Sequence, residues 1–297
     1  MLTHTASPPE APSRVVAVGA GGFIGRQLLA DLEAEGVPAL GTYSADLDLG
    51  AEGAAEKLAG QLRESDQLVM LAALTPDKGR DLATFMKNLK MAESVCQALK
   101  QQPVRQVVYI SSDAVYPFGD QPVDETSCAA PGDLYGTMHK AREVMFQDAL
   151  GADTPLAILR PTLVFGAADS HNSYGPNRFR RLIAKDGAVT LGGGGEETRD
   201  HIAVEDVSAL IRLVLRHRSA GVLNLVTGQS ISFDALARKV AALFQPAGEV
   251  RHSERRAPAT HRHFDNRALQ KAFPEFRFTP LDEGLAGAHA AMLAQQS

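Results

Sequence analysis

The chain has 297 residues and the composition of an ordinary folded protein, with 44% hydrophobic and 22% charged residues, which excludes a mainly disordered or fibrous chain. The 30 Lys and Arg residues against 35 Asp and Glu residues leave a formal net charge of -5 and no basic block, so nucleic acid is not expected as a partner. The two cysteines, Cys96 and Cys128, are too few for a disulfide framework or a thiolate metal cluster, and they favour a reducing, cytoplasmic setting.

The N-terminal half alternates short apolar runs with longer helical segments, which is the pattern of βαβ units on a parallel sheet. Residues 1–13 are rich in Pro, Ala and Ser and lack the apolar run of a secretory signal, so we expect a disordered tail. The elements predicted after it are strand 14–20, helix 22–35, strand 37–43, helix 54–63, strand 67–74, helix 81–100, strand 104–112, a helix from about 135, and strand 155–166. This order predicts a doubly wound parallel sheet, a Rossmann dinucleotide-binding domain over residues 14–166.

The C-terminal half changes in composition after about Gly166, through GPNRF and LGGGGEETRD, before helical periodicity returns in VEDVSALIRLVLRH. We expect residues 167–297 to form mainly a smaller α/β cap, with further core elements returning to the first domain. No apolar run approaches the ~20 residues that span a membrane, and no histidines have metal-ligand spacing with carboxylates. Neither a membrane anchor nor a metal site is therefore expected.

A glycine-rich turn joins the first strand to the first helix. Gly19 allows the tight turn, Gly22 lets the backbone approach a pyrophosphate, and Gly25 permits close packing of helix on sheet. The phosphates are expected at the helix N-terminus, beside Phe23 and Ile24. The sequence predicts that this turn binds a nicotinamide dinucleotide.

The second strand lacks the acidic residue that would hold a ribose 2′-hydroxyl, because residues 41–44 read GTYS. Arg26, directly after the third glycine, favours the 2′-phosphate of NADP, whereas Asp46 in the next loop is an alternative ligand for an unphosphorylated ribose. Asp48 and Leu49 are expected to bracket the adenine ring, the alternative for Asp48 being a helix cap. The cofactor prediction is therefore NAD or NADP.

Four motifs in chain order carry a resemblance to a known family. They are GAGGFIG at 19–25, ISSDAVYP at 110–117, YG at 135–136 and RDHIAVEDV at 199–207. With them the chain resembles the extended short-chain dehydrogenase/reductases and, among these, the nucleotide-sugar epimerase/dehydratase family, from Arg14 to Leu285. The resemblance implies a nucleotide-sugar substrate, a substrate-binding cap and a homodimer formed through two long helices.

The resemblance also implies a catalytic pair, Ser112 on the fourth strand and Tyr135 on the following helix. Loss of hydride from an alcohol requires loss of its proton, so a phenol acts as the base beside a hydroxyl that orients the substrate. The related dehydratases carry an Asp-Glu pair after the Ser or Thr. Asp113 is present here, but Ala114 replaces the Glu, so a dehydratase is not expected.

Position 139 departs from the family pattern, which has a Lys four residues after the Tyr. His139 occupies that position and Lys140 follows it. On a regular helix, a residue at i+4 lies about 40° from the Tyr, whereas one at i+5 points about 140° away. Three alternatives follow: His139 supplies a weaker, pH-dependent charge beside the cofactor, an irregular helix start swings Lys140 inward, or the site has lost efficient redox chemistry.

The resemblance places the substrate on polar groups of the cap. Arginine suits a diphosphate because its planar fork donates paired hydrogen bonds. The implied contacts are Asn177, Arg178, Phe179, Arg199 and one of Arg255 or Arg256, of which Arg256 is chosen. Asn88, on the long helix after the third strand, matches an Asn that supports the catalytic helix.

The sequence thus predicts an NAD(P)-dependent epimerase that acts on a nucleotide sugar, at C4, through a transient keto intermediate. The close alternative is an NADPH-dependent 4-keto-sugar reductase, which consumes one dinucleotide per turnover. An alternative of another class is a dinucleotide-binding sensor or scaffold that has lost catalysis, which is suggested by the displaced Lys.

Overall fold

A computed structural model describes residues 1–169 and 175–294, and the chain divides into two compact units. The first unit contains residues 1–117, 125–161 and 207–225. The second contains residues 118–124, 162–206 and those from 226 onward.

The strands and helices are as follows. The strands are β1 Val15–Val18, β2 Ala39–Thr42, β3 Gln67–Met70, β4 Gln106–Ile110, β5 Pro122–Val123, β6 Leu156–Pro161, β7 Leu163–Phe165, β8 Ala188–Gly192, β9 Thr198–Ala203, β10 Gly221–Leu225, β11 Ser230–Ser232, β12 Glu249–Ser253 and β13 His263–Phe264. The helices are α1 Phe23–Ala34, α2 Ala54–Ala59, α3 Leu82–Gln101, α4 Leu134–Ala149, α5 Pro176–Asp186, α6 Val204–Arg216, α7 Phe233–Ala241, α8 Arg267–Ala272 and α9 Leu281–Ala294.

The first unit is built on a six-stranded sheet of order β10-β6-β4-β3-β1-β2 with every pair parallel. Strands β1, β3 and β4 are buried along their whole length. They read as apolar runs because helices cover both faces of a doubly wound sheet. Chain order reverses between β1 and β3, which is where such sheets open a crevice at the carboxyl ends of their strands. The predicted fold class is confirmed.

The helices that matter for the site begin at defined caps. The Asp81 carboxylate accepts the Thr84 N–H at 2.8 Å at the start of α3, and the Asp133 carboxylate accepts the Gly136 N–H at 2.8 Å at the start of α4. Both caps satisfy N–H groups that a helix start leaves unpaired. Helix α4 therefore begins regularly, one residue before Tyr135.

The first residues of the chain differ from the loose tail expected of them. Thr3 pairs with Ala220, and the Thr5 and Ala6 N–H groups donate to the His217 carbonyl. Ala6 is buried. Burial of this side chain and the backbone bonds to the end of α6 offset the entropy of ordering the segment.

The second unit contains a sheet of order β11-β9-β7 and the pairs β12-β8 and β13-β5. Its core packs Phe165, Phe179 and Ile183 against Leu236 and further apolar side chains. The single strand expected over 155–166 is two strands, β6 in the first unit and β7 in the second. Pro161 at the end of β6 has no N–H with which to extend a ladder.

Candidate functional site

The glycine turn after β1 shows which glycines the fold itself requires. Gly19 has φ +91°, and a Cβ there would lie 2.6 Å from the Ala72 backbone. A Cβ on Gly25 would lie 2.8 Å from the backbone of Ala20 and Gly19. Gly22 has an ordinary φ of -72°, and its Cβ would meet only the Gly19 carbonyl, at 3.3 Å. The fold needs the first and third glycines, whereas the second leaves room that a bound group can use.

Gly22 is the N-cap residue of helix α1, and no side chain caps the helix there. The N–H groups of its first turn, which include those of Phe23 and Ile24, therefore have no capping carboxylate or hydroxyl to accept them, and they lie at the positive end of the helix dipole. Arg26 Nη1 donates to the Gly21 carbonyl at 2.6 Å. A helix start of this kind, with a glycine backbone beside it, fits the diphosphate of a dinucleotide.

The carboxyl end of β2 holds this turn in place. The Thr42 carbonyl accepts the N–H groups of Gly19 and Ala20 at 3.2 and 3.0 Å. The Asp48 carboxylate accepts the Gly50 N–H at 2.9 Å, whereas the N-cap residue of α2 is Gly53, so Asp48 shapes a turn and does not cap that helix. The Leu49 side chain is buried in the core, which leaves Asp48 as the exposed member of the predicted adenine pair.

The predicted catalytic pair lies on two segments in direct backbone contact. Ser112 is the last residue before a short 3-10 turn, and its Oγ accepts the Ala114 N–H at 3.1 Å. A Cβ on Gly136 would lie 2.1 Å from the Ala114 carbonyl, so only glycine allows α4 to start this close. The contact brings the beginning of the Tyr135 helix against the segment that carries Ser112. Asp113 is buried, and its Oδ1 lies 3.4 Å from Ser112 Oγ.

His139 occupies the interior side of α4, one turn after Tyr135. The two rings are in edge contact with centroids 4.7 Å apart, and Nδ1 lies 2.7 Å from the Tyr109 hydroxyl. The side chain is buried, and Nε2 has no hydrogen-bond partner among the described residues. Burial, reinforced by the charge of Arg142, holds the pKa of His139 well below its usual value. The pH-dependent charge expected of His139 is therefore not supplied at neutral pH, because the imidazole is neutral.

Lys140 does not supply the missing cation beside Tyr135 either. Helix α4 is regular through this segment, and Lys140 Nζ pairs with Glu143 at 3.3 Å. The inward swing expected from an irregular helix start is not seen. The i+5 position points away from the Tyr135 face, as helical geometry requires.

A buried polar network beside the pair was not anticipated from the sequence. The Glu143 carboxylate accepts Ser111 Oγ at 2.7 Å and the Arg160 guanidinium through Nε and Nη2 at 2.8 and 2.7 Å. Arg160 Nη1 in turn donates to the Tyr116 hydroxyl at 2.6 Å. The paired bonds offset the cost of burying both charges, and they fix the segment that leads into Ser112. The one sequence signal was an arginine inside a buried strand.

Asn88 on α3 holds the segment that follows β3. Its side chain accepts the Leu74 N–H at 2.8 Å and donates to the Leu74 carbonyl at 3.0 Å. It also donates to the Thr84 carbonyl at 3.2 Å. The two bonds to Leu74 tie α3 to the segment after β3, and the support of the catalytic helix by Asn88 stays a prediction.

Three of the predicted substrate residues lie at the start of α5. Asn177 is buried and bonded to Asp169, and its Oδ1 accepts Arg180 Nη2 at 2.6 Å. Arg178 is exposed. Phe179 is buried and packs edge-on against Phe233 with ring centroids 6.0 Å apart. The Phe179 side chain is therefore part of the core of the second unit, and its predicted contact with a substrate stays a prediction.

Arg199 and the arginine pair near 255 have different surroundings. Arg199 Nη1 donates to the Thr260 carbonyl and Nη2 to Thr260 Oγ1, both at 2.6 Å, and the guanidinium lies 4.5 Å from the centre of the Phe118 ring. Arg255 pairs with Glu196 and Glu197, whereas Arg256 is exposed. The roles of Arg199 and Arg256 toward a substrate stay predictions.

Within residues 1–169 and 175–294, no helix is long and apolar enough to span a membrane. The same part of the chain contains no group of three or more His, Cys, Asp or Glu side chains placed to hold a metal ion.

Known proteins resemble this chain in sequence and in fold. The model of the NAD dependent epimerase/dehydratase family matches residues 15–226. A relative from Escherichia coli O157:H7, the N-acetyl-alpha-D-glucosaminyl-diphospho-ditrans,octacis-undecaprenol 4-epimerase, is 25% identical over 238 residues, 76% of this chain and 71% of that protein.

Two solved structures have the same fold. The UDP-N-acetylglucosamine 4-epimerase from Methanobrevibacter ruminantium M1, in complex with UDP-N-acetylmuramic acid, is 21% identical with a TM-score of 0.83 over 96% of this chain and 99% of that one. A GDP-L-fucose synthetase from Naegleria fowleri, bound to NADP, is 15% identical with a TM-score of 0.86 over 99% of this chain and 97% of that one.

Proposed function

Because the chain belongs to the NAD-dependent epimerase/dehydratase family, we propose that it is a 4-epimerase of a nucleotide-activated sugar that works through a transient keto sugar. The observation that carries this proposal is the contact between Gly136 and Ala114, which brings Tyr135 to the Ser112 segment. Position 114, where the dehydratases that the chain resembles carry a Glu, has no acid–base group. One acid–base group beside one orienting hydroxyl suits removal and return of a hydrogen at the same carbon.

The glycine turn and the uncapped start of α1 are the groups that would hold the dinucleotide. When bound, the nicotinamide takes up and gives back a hydride. Tyr135, as its phenolate, accepts the C4 hydroxyl proton and later returns it from the resulting phenol, and the Ser112 hydroxyl holds the same oxygen. The buried bonds from Glu143 to Ser111 and Arg160 keep the end of β4 rigid while this occurs.

A 4-keto-sugar reductase is the second candidate. It is favoured by the lack of a carboxylate in residues 41–44 and by Arg26 beside the turn, both of which suit a 2′-phosphate. The same NAD(P) site would then be used with one NADPH consumed per turnover. A sensor or scaffold is favoured only by the absence of the family's Lys.

The test separates these candidates by cofactor stoichiometry. The purified protein is incubated with UDP-, GDP- and dTDP-sugars and a trace of dinucleotide, and separately with their 4-keto forms and an equal amount of NADPH. Products are followed by NMR together with absorbance at 340 nm. Many turnovers without a net absorbance change support the epimerase. One NADPH oxidised per keto sugar reduced supports the reductase, and dinucleotide binding without any product supports the sensor.

The proposal includes a cytoplasmic homodimer. Both cysteines are free thiols, which suits a reducing compartment. The two long helices α3 and α4 carry exposed apolar side chains, with Met86 54% and Val144 52% exposed, which are suitable for burial against a second copy. Light scattering on the purified protein measures the oligomeric state.

A further inference from the structure

Arg142 is a fully buried arginine on α4 with no carboxylate partner. Its side chain is 0% exposed, and no carboxylate oxygen of the described residues lies within 4 Å of it. Its Nε has no hydrogen-bond partner there. A buried charge without a counter-charge is costly.

Arg142 lies on the same face of α4 as Tyr135. Seven residues separate them, which returns Arg142 to within about 20° of Tyr135 on the same helical face. The Arg142 side chain extends back toward the helix start, since Nη1 lies 3.7 Å from the Met138 sulfur one turn earlier. The guanidinium is therefore carried toward the level of His139 and Tyr135.

The guanidinium also reaches the end of the sheet that the dinucleotide turn occupies. Nη2 donates to the Ala72 carbonyl at 2.8 Å. Ala72 follows β3, and it is the residue whose backbone would lie 2.6 Å from a Cβ on Gly19. Ala72, whose carbonyl binds the guanidinium, therefore lies next to the glycine turn.

Other groups around α4 do not neutralise this charge. The buried titratable and charged groups on the elements packed against α4 are Cys96 on α3, Tyr109 on β4, Asp113 in the following turn, and Arg160 on β6, which pairs with Glu143. The remaining charged groups of α3 are the exposed Lys87, Lys90 and Lys100 and the half-buried Glu93, which pairs with Lys90. Burial raises the pKa of Tyr109 and raises that of Cys96 to about 11, so both stay neutral near pH 7. The guanidinium lies 5.2 Å from the centre of the Tyr109 ring, whose hydroxyl bonds to His139, the neighbour of Tyr135.

We propose that Arg142 supplies the fixed positive charge of the Tyr135 site, in the place of the cation that position 139 lacks. The inference rests on the proposed function in one respect, the use of Tyr135 as the acid–base group. Arg142 is a positioning residue: it favours the ionised phenol of Tyr135 and leaves contact with the reacting oxygen to Tyr135 and Ser112. A fixed guanidinium stays charged at every working pH, whereas the imidazole beside it does not.

The direct test titrates Tyr135 in the ligand-free protein. The chain has 5 tyrosines, so tyrosinate absorbance at 295 nm is recorded against pH for each protein with and without Tyr135→Phe, and the difference gives the Tyr135 titration alone. Arg142→Met is expected to raise the midpoint by about one pH unit, the lower end of the effect of an adjacent opposite charge. Lys140→Met, which removes the partly exposed charge that pairs with Glu143 and lies off the Tyr135 face, is the control for loss of a positive charge on α4 and is expected to leave the midpoint unchanged.

Two further variants keep the test decisive if Arg142→Met does not fold. Arg142→Lys keeps a charge and is expected to keep the midpoint within a few tenths of a unit of the parent. The double variant His139→Lys/Arg142→Met restores a cation one turn earlier and is expected to return the midpoint toward the parent value. A parent midpoint at or above the ordinary value of about 10 overturns the proposal, as does an equal shift in the Arg142→Met and Lys140→Met proteins.

Turnover separates this inference from the proposed function. In an active enzyme, the acid limb of the pH profile of kcat is expected to move upward with Arg142→Met and to stay in place with Arg142→Lys. Normal epimerisation with an unmoved Tyr135 midpoint rejects the role of Arg142 and leaves the epimerase intact. A Tyr135 midpoint that shifts with Arg142→Met, in a protein that turns over no nucleotide sugar, supports the role of Arg142 and rejects the epimerase.

Discussion

The neutrality of His139 predicts a specific loss of stability at low pH. Its pKa is well below the usual value in the folded protein because the side chain is buried beside Arg142. In the unfolded chain it is near 6.5, so the unfolded state takes up the proton first and stability falls as the pH falls through that value. The titration of one such group leaves the free energy of unfolding almost unchanged at pH 7.5 and lowers it by about 1.4 kcal/mol at pH 5.5.

The perturbation is His139→Gln, which keeps a polar group for the Tyr109 hydroxyl and removes the titration. The free energy of unfolding is measured in urea at several pH values for the parent, the variant and a Lys140→Met control. Between pH 7.5 and 5.5 the parent is expected to lose about 1.3 kcal/mol more than His139→Gln, while Lys140→Met follows the parent. Parallel curves for the parent and His139→Gln would refute the reasoning, since they would mean that His139 takes up its proton as readily in the fold as in the unfolded chain.

Further predictions concern the turn, the cap and the helix pair. Gly22→Val is expected to abolish dinucleotide binding in calorimetry while changing the free energy of unfolding by about 1 kcal/mol or less, because a Cβ at this position would meet only the Gly19 carbonyl. A Gly22→Val protein with parental affinity would place the dinucleotide elsewhere. Arg199→Ala is expected to weaken nucleotide-sugar binding by about 1.5 to 3 kcal/mol and to leave dinucleotide binding unchanged, and equal losses for both ligands would assign it another role. Met86→Lys is expected to convert a dimer to a monomer in light scattering, and an unchanged mass would exclude that helix face as the interface.

Much of the first unit could be predicted from the sequence because its signals are local. Parallel strands buried on both faces read as apolar runs, and the glycine spacing at 19, 22 and 25 marks the turn between β1 and α1. The fold, the family and a nicotinamide dinucleotide as cofactor are confirmed. Helix α2 ends at Ala59, whereas the sequence predicts a helix to 63, because helix ends carry a weak sequence signal.

The features that the sequence did not predict depend on contacts between distant residues. Burial of Ala6 orders the N-terminal segment, although its composition is that of a loose tail. Packing against Phe233 decides that Phe179 is core. The burial of Arg142 and its bond to Ala72 join residues 70 positions apart, so no motif announces them. The i+4 rule did place His139 on the Tyr135 face, but only the surrounding packing shows that its imidazole is neutral.

The most direct test of the proposed epimerase follows the hydrogen at C4. The parent enzyme is incubated in ordinary water with nucleotide sugars deuterated at C4, and the recovered epimers are examined by mass spectrometry and NMR, with Tyr135→Phe as the control. A 4-epimerase predicts that the new epimer keeps its deuterium at C4 and that the control forms it at least about 100-fold more slowly, the lower range for loss of a general acid–base group. An epimer whose C4 deuterium has been replaced by solvent hydrogen, or no epimer from any sugar of the UDP, GDP and dTDP panel, would contradict it.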